Sequence, residues 1–160
     1  RINNEINSFL AKVSAREVSE KTSEQIRGLI GACNELESIG DIYYNMATQL
    51  DRKSDDKVWF DQKQRDNLMS YFDQLKDGHQ EMILNLEKGQ VKINLTKAIS
   101  IEQGIDDTRD KLRKKHLKSI EKQEYNYKSG LIYNNLFSSI EKIGDYVLSV
   151  SEYVSGENLN

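Results

Sequence analysis

Apolar residues recur at steps of three and four along almost the whole chain, the spacing of one face of an α-helix. The pattern predicts five helices, at about residues 1–13, 19–52, 56–88, 92–121 and 125–154. Val, Ile and Thr form no alternating runs of the kind that a half-buried strand needs. The pattern therefore predicts an all-α protein, in which long helices joined by short links pack as an antiparallel bundle.

Polar residues between the apolar segments indicate where the helices begin and end. Ser14 followed by Glu17 has the spacing of a capping box and predicts the start of the second helix. The cluster at 53–56 is the clearest break, and Ser54 or Asp55 is the expected N-cap of the third helix. Gly89 is placed to end that third helix.

The composition agrees with this fold class and narrows the choice of function. The 160 residues include no Pro and only 9 Gly, so few positions force a break in a helix. A net charge of −3 argues against nucleic acid as the main partner, and the basic stretch at 113–118 is expected to be a solvated helix face. No apolar run approaches the roughly 20 residues of a membrane span. The single cysteine, Cys33, suits a reducing compartment and buried packing.

A short signature, Glu-x-Ile-Gly-Asp, occurs twice in the sequence. The first copy runs from Glu37 to Asp41 and the second from Glu141 to Asp145, an offset of 104 residues. Each copy lies within a long periodic helix that follows another helix. The sequence therefore predicts an internal repeat.

The signature itself points to a bound cation. A Glu and an Asp four residues apart share one helix face, which is unfavourable for like charges by a few tenths of a kcal/mol. The glycine between them costs about 1 kcal/mol relative to Ala in a helix, and predicts that a neighbouring helix approaches closely. Carboxylates beside a close helix crossing could assemble a metal site from facing helices.

The fourth helix offers further candidate ligands. Glu102 and Asp106 are also four residues apart, and Glu102 lies within the apolar stripe of its helix. A shift of 103 residues places Asn3 where Asp106 stands. Carboxylate and amide oxygens suit hard cations such as Mg, Mn, Ca or Fe. The two histidines, His79 and His116, are expected to be packing or surface residues.

At these residues the chain resembles the PhoU family. The domain of that family is a three-helix bundle used twice, with a Glu-Arg-Ile-Gly-Asp-like signature in the third helix of each half. The resemblance implies tandem three-helix bundles that lack the first helix, with a partial first repeat at 1–53 and a complete second repeat at 54–160. Ser38 and Lys142 stand where the family usually has Arg.

The resemblance also implies a function. The chain would be a metal-binding regulatory domain of phosphate uptake, attached as a cytoplasmic tail to a sodium/phosphate cotransporter on the cytoplasmic side of the bacterial inner membrane. Its partner would be the membrane portion of the same polypeptide, and a second copy is expected to fill the groove left by the missing helix. The metal would be Fe, Mg, Mn or Zn. The implied ligands are Asn3, Glu37, Asp41, Asn45, Glu102, Asp106, Glu141 and Asp145.

Two other interpretations stay open at this point. In the first, the chain is a structural or scaffold bundle that mediates protein–protein interaction, and its charged pairs bind no specific metal. In the second, it is a di-metal carboxylate enzyme, but no His stands three residues after any Glu, as that site requires. The sequence also has no nucleophile–base pair and no phosphate-binding glycine loop, so a non-catalytic role is expected.

Overall fold

Five α-helices make up the described part of the chain. A computed structural model of the chain describes residues 2–88, 93 and 95–156. The helices are α1 (Ile2–Ser14), α2 (Glu20–Asp55), α3 (Gln62–Lys88), α4 (Leu95–Glu121) and α5 (Tyr127–Ser155). No strand occurs in these residues. The prediction of an all-α helical bundle is confirmed.

The start of α2 differs from the prediction. Its N-cap is Ser19, whose hydroxyl accepts a hydrogen bond from the backbone N–H of Thr22 at 3.2 Å. Ser14 is instead the last residue of α1, and its hydroxyl donates to the carbonyl of Ala11 at 3.1 Å. Because Ser14 is bonded back into α1, the predicted capping box with Glu17 does not form.

The break between α2 and α3 lies farther along the chain than predicted. Residues 53–55 continue α2, so neither Ser54 nor Asp55 is an N-cap. The side chain of Asp61 accepts from the N–H of Gln64 at 2.6 Å, and the side chain of Gln64 accepts from the N–H of Asp61 at 3.0 Å. This reciprocal capping box starts α3. The predicted stop at Gly89 lies outside the described residues.

Helix α5 is the centre of the assembly. It packs against α2, α3 and α4; α3 and α4 also pack against each other, and α1 packs against α2. Helices α2 and α5 are antiparallel, because Gly31 lies against the ring of Tyr153 while Asn45 shares a groove with Ser139. The second half of the chain is thus a three-helix bundle, and α2 joins it through α5.

The buried residues of α2 and α5 follow the same offset as the repeated signature. Three buried apolar residues of α2 each have a buried counterpart 104 positions later in α5, and all six belong to one hydrophobic core. The pairs are Ala32 with Leu136, Ile39 with Ile143, and Met46 with Val150. The two signature helices therefore use equivalent faces to pack against each other.

Candidate functional site

Three predicted ligands converge where α4 crosses α5. Glu102 and Asp106 lie one turn apart on α4, and Asp145 lies on α5. One carboxylate oxygen from each lies within 4.8 Å of the other two. Glu102 and Asp106 are half-buried and Asp145 is exposed, so the group opens to solvent on one side. We call these three residues the carboxylate cluster.

Gly144 brings the two helices close enough to form this cluster. A Cβ atom at Gly144 would lie 3.0 Å from Cγ2 of Ile105 on α4. The predicted close approach at the signature glycine is therefore confirmed in the second copy. It is wrong for Gly40, where a Cβ atom would meet nothing within 4 Å in the described part of the chain. The second signature thus sits at a tight helix crossing, and the first sits on an open surface.

Arg109 is a cation beside the cluster that the sequence analysis did not assign to the site. Its guanidinium contacts Glu141 at 3.1 Å, Asp110 at 3.0 Å and Asp106 at 3.6 Å. Glu141 is consequently held by an ion pair and is not part of the carboxylate cluster. Arg109 stands three residues after Asp106 and within the apolar stripe of α4, and this spacing was the sequence signal that could have identified it.

The carboxylates at this crossing disfavour one another's charge. Burial raises the pKa of Glu102, and the nearby charges of Asp106 and Asp145 raise it further. Partial desolvation at the helix crossing and the charge of Asp106 likewise raise the pKa of Asp145, although Arg109 and Lys142 oppose the effect. The pKa of Glu141 is raised by burial and by Asp145, and lowered by Arg109. Concentrated negative charge of this kind favours binding of a cation.

The predicted ligands in the first copy lie apart from this cluster. The Asn3 amide donates to the carboxylate of Glu37, and the Asn7 amide donates to Asn3 at 3.0 Å. Asp41 and Asn45 are exposed, and Asn45 lines a groove between α2 and α5. The described residues of the first copy therefore form three side-chain hydrogen bonds between α1 and α2, and no group of three converging carboxylates.

The two histidines have packing roles in this structure. His116 is buried, stacks on the ring of Tyr125 and contacts the rings of Tyr133 and Phe137. Its Nδ1 is hydrogen-bonded to the hydroxyl of Tyr125, and burial lowers its pKa. Nδ1 of His79 lies 3.0 Å from the carbonyl of Leu75.

Tyr71 is a second residue that the sequence analysis missed. It is fully buried, and its hydroxyl donates to the carbonyl of Ile105 at 2.9 Å. Burial raises its pKa, and the charge of Glu141 raises it further. Tyr71 therefore fixes α3 against α4 directly beside the charged group at the crossing.

No protein-family model, curated protein or solved structure significantly matches the chain. Within the described residues, none of the helices has both the length and the apolar character needed to cross a membrane. The geometry at the α4–α5 crossing is thus the main basis for a functional assignment.

Proposed function

We propose that this chain is a non-catalytic regulatory domain that binds a metal ion at the carboxylate cluster of Glu102, Asp106 and Asp145. The observation that carries the proposal is the convergence of these three side chains from two helices, at the crossing made by the signature glycine. A bound cation would offset the mutual repulsion that raises the pKa values of Glu102 and Asp145.

The donor set narrows the choice of cation. Three carboxylates supply only oxygen ligands, which suit Mg, Mn, Ca or Fe. Zinc is less favoured because no His or Cys joins the cluster. Arg109 already compensates Glu141, so we assign Glu141 to the ion pair and place the metal on the other three residues.

The biological setting of the proposal is regulation of phosphate uptake. Its support is the resemblance of the two Glu-x-Ile-Gly-Asp signatures to those of the PhoU family, together with the shared 104-residue offset of signature and buried residues. In this setting the domain would be the cytoplasmic tail of a sodium/phosphate cotransporter. It would transmit its metal-bound state to the membrane portion of the same polypeptide.

One observation favours a second function, that of a scaffold bundle without a specific metal. The guanidinium of Arg109 already contacts Asp106 and Glu141, so part of the acidic group has a built-in counter-charge. In this alternative the remaining carboxylates are solvated, and the chain acts through its surfaces. The two functions differ in whether the purified protein binds a metal stoichiometrically.

Titration of the demetallated protein tests the proposal. Mg²⁺, Mn²⁺, Ca²⁺, Fe²⁺ and Zn²⁺ would each be titrated by calorimetry into the wild type, Glu102→Gln/Asp145→Asn and the matched control Glu37→Gln/Asp41→Asn. We expect one of the hard cations to bind one per chain, with affinity at least about tenfold weaker in the first variant and unchanged in the control. Circular dichroism should show the same helicity in all three proteins. Absence of binding, or equal binding by all three, would favour the scaffold function.

A further inference from the structure

Four large apolar side chains line one face of α2 at a spacing of seven residues, and we call them the α2 seam. They are Leu29, Leu36, Tyr43 and Leu50, and they are between 38% and 45% exposed. Each lies 104 residues before a residue of α5 that is at most 9% exposed, namely Tyr133, Ile140, Val147 and Val154. The same face is therefore covered in the second copy and open in the first.

Helix α3 provides the cover in the second copy. The amide of Asn67 donates to the hydroxyl of Tyr133 at 3.1 Å, and the amide of Asn85 donates to Ser151 at 3.2 Å. Between these two levels, a Cβ atom at Gly78 would lie 3.5 Å from Val147. Helix α3 thus runs parallel to α5 along the whole face that corresponds to the α2 seam.

The first copy has an open groove where the second copy holds a tyrosine. A cavity of about 420 Å³ between α1 and α2 is lined by Ile2, Asn3, Ile6, Cys33, Leu36 and Glu37. Offsets of 103 for α1 and 104 for α2 convert these residues to Ile105, Asp106, Arg109, Phe137, Ile140 and Glu141. In the second copy, the hydroxyl of Tyr71 on α3 donates a hydrogen bond to the carbonyl of Ile105. The charges of Glu141, Arg109 and Asp106 act on the same tyrosine side chain. The groove therefore corresponds to the site of an aromatic side chain from a covering helix.

Charge indicates what kind of helix would fit. Glu141 is paired with Arg109, but Ile6 stands at the position of Arg109 in the first copy. No cationic side chain of the described residues forms a salt bridge with Glu37 or Asp41. A second copy docked through the same face would bring these carboxylates towards one another, whereas a basic helix would neutralise them.

We propose that the groove between α1 and α2 binds an amphipathic α-helix of a basic partner protein. The helix covers the α2 seam as α3 covers α5 and inserts an aromatic side chain beside Ile2 and Leu36. It also places a Lys or Arg next to Glu37 and Asp41. Tyr43, whose ring centroid lies 5.9 Å from that of His79 on α3, forms the side of the docking surface nearest α3.

Two synthetic peptides probe this surface. One has the sequence of residues 60–88, which contains α3, and the other is its basic variant with Asp73→Lys and Asp77→Lys. Both of these Asp residues are exposed on α3, so the change leaves the apolar face intact. Each labelled peptide would be titrated with the full chain and followed by fluorescence anisotropy. We expect saturable binding that is at least about threefold tighter for the basic peptide.

Variants of the chain and of the peptide locate the binding. Leu36→Glu should weaken binding of the basic peptide at least about tenfold, as should Tyr71→Ala within the peptide. The matched control is Leu117→Glu, an exposed apolar position on α4 that should leave binding unchanged. Circular dichroism would verify that both chain variants keep their helicity.

Three results would overturn the proposal. The first is no saturable binding of the basic peptide at about 1 mM. The second is equal binding by wild type and Leu36→Glu, which would mean that the peptide displaces α3 or binds elsewhere. The third is a wild-type dimer in sedimentation experiments that Leu36→Glu dissociates, which would assign the groove to a second copy. Metal titration of Leu36→Glu would show whether metal binding at the carboxylate cluster is independent of peptide binding in the groove.

Discussion

Gly40 and Gly144 occupy the same position in the repeated signature but lie in different surroundings. Gly144 is buried against Ile105, whereas Gly40 faces open space. In a helix interior, glycine costs backbone entropy that only a close contact can justify. In the second copy, this contact lets α4 and α5 approach each other closely. In the first copy, the described residues form no equivalent contact at Gly40. The same residue type therefore has opposite energetic effects in the two halves.

This difference predicts opposite results for two alanine substitutions. Gly40→Ala should stabilise the protein by about 0.5–1 kcal/mol, because it raises helix propensity without a clash. Gly144→Ala should destabilise it by about 1–3 kcal/mol, because the new Cβ would lie 3.0 Å from the buried side chain of Ile105. Urea denaturation of both variants gives the two values, and a shift of the same sign in both would contradict the packing account.

At the scale of elements, the helices were easier to predict than their ends. The apolar periodicity of α5 extends over eight turns and identifies the helix without knowledge of its neighbours. Capping is a competition among nearby side chains, and Ser14 and Ser19 both satisfy local cap rules. The hydroxyl of Ser19 accepts a hydrogen bond from the N–H of Thr22, whereas the hydroxyl of Ser14 donates to the carbonyl of Ala11. The path of the folded chain decides which of the two serines becomes the N-cap.

The carboxylate cluster was predictable only in part for a similar reason. The four-residue spacing of Glu102 and Asp106 places them on one face of α4, so their proximity follows from the sequence. The convergence of Asp145 depends on where α4 crosses α5, and the pairing of Glu141 depends on the reach of Arg109. The number of residues between two helices does not predict where those helices cross.

The carboxylates at the crossing of α4 and α5 predict how the stability of the protein depends on pH. Because the folded-state pKa values of Glu102, Glu141 and Asp145 are raised, the folded state binds more protons than the unfolded state just above their ordinary pKa values. The contribution of these groups to stability therefore increases as the pH falls towards about 4.5. His116 acts in the opposite sense, because its lowered pKa costs stability as the pH falls below its ordinary value of about 6.5.

A difference measurement isolates the carboxylates from His116. Without metal at pH 7, the free energy of unfolding should be about 0.5 kcal/mol higher for Glu102→Gln/Asp145→Asn than for the wild type, since the variant removes like-charge repulsion. The advantage should shrink as the pH is lowered to about 4.5, where wild-type carboxylates become protonated. Urea denaturation in the presence of a chelator measures both values. A pH-independent difference would show that charge repulsion is not its cause.

At the scale of the whole molecule, the packing is uneven. Among the residues that the structure describes, helix α5 contacts three helices, while α1 contacts only α2. Leu10 is the one buried residue of α1, and Ile2 and Phe9 are largely exposed. Isolated helices of about this length are marginally stable, so α1 depends on its limited contact with α2.

Hydrogen exchange should reveal this gradient. The amides of α1 should exchange fastest among the five helices, and those in the middle of α5 should exchange only through global unfolding. Exchange measured by mass spectrometry on the wild type tests the order. Protection of α1 equal to that of α5 would mean that α1 has partners beyond α2 in solution.

The central place of α5 also affects how the chain acquires its structure during synthesis. Helices α2, α3 and α4 leave the ribosome before the helix against which all three pack. The antiparallel pairing of α2 with α5 joins residues about a hundred positions apart, and such distant contacts slow folding. Until α5 emerges, α2, α3 and α4 lack the neighbour that all three share, although α3 can already pack against α4 and α1 against α2. This segment therefore completes its core only after α5 has emerged, and it depends on α5 to protect the earlier helices from aggregation.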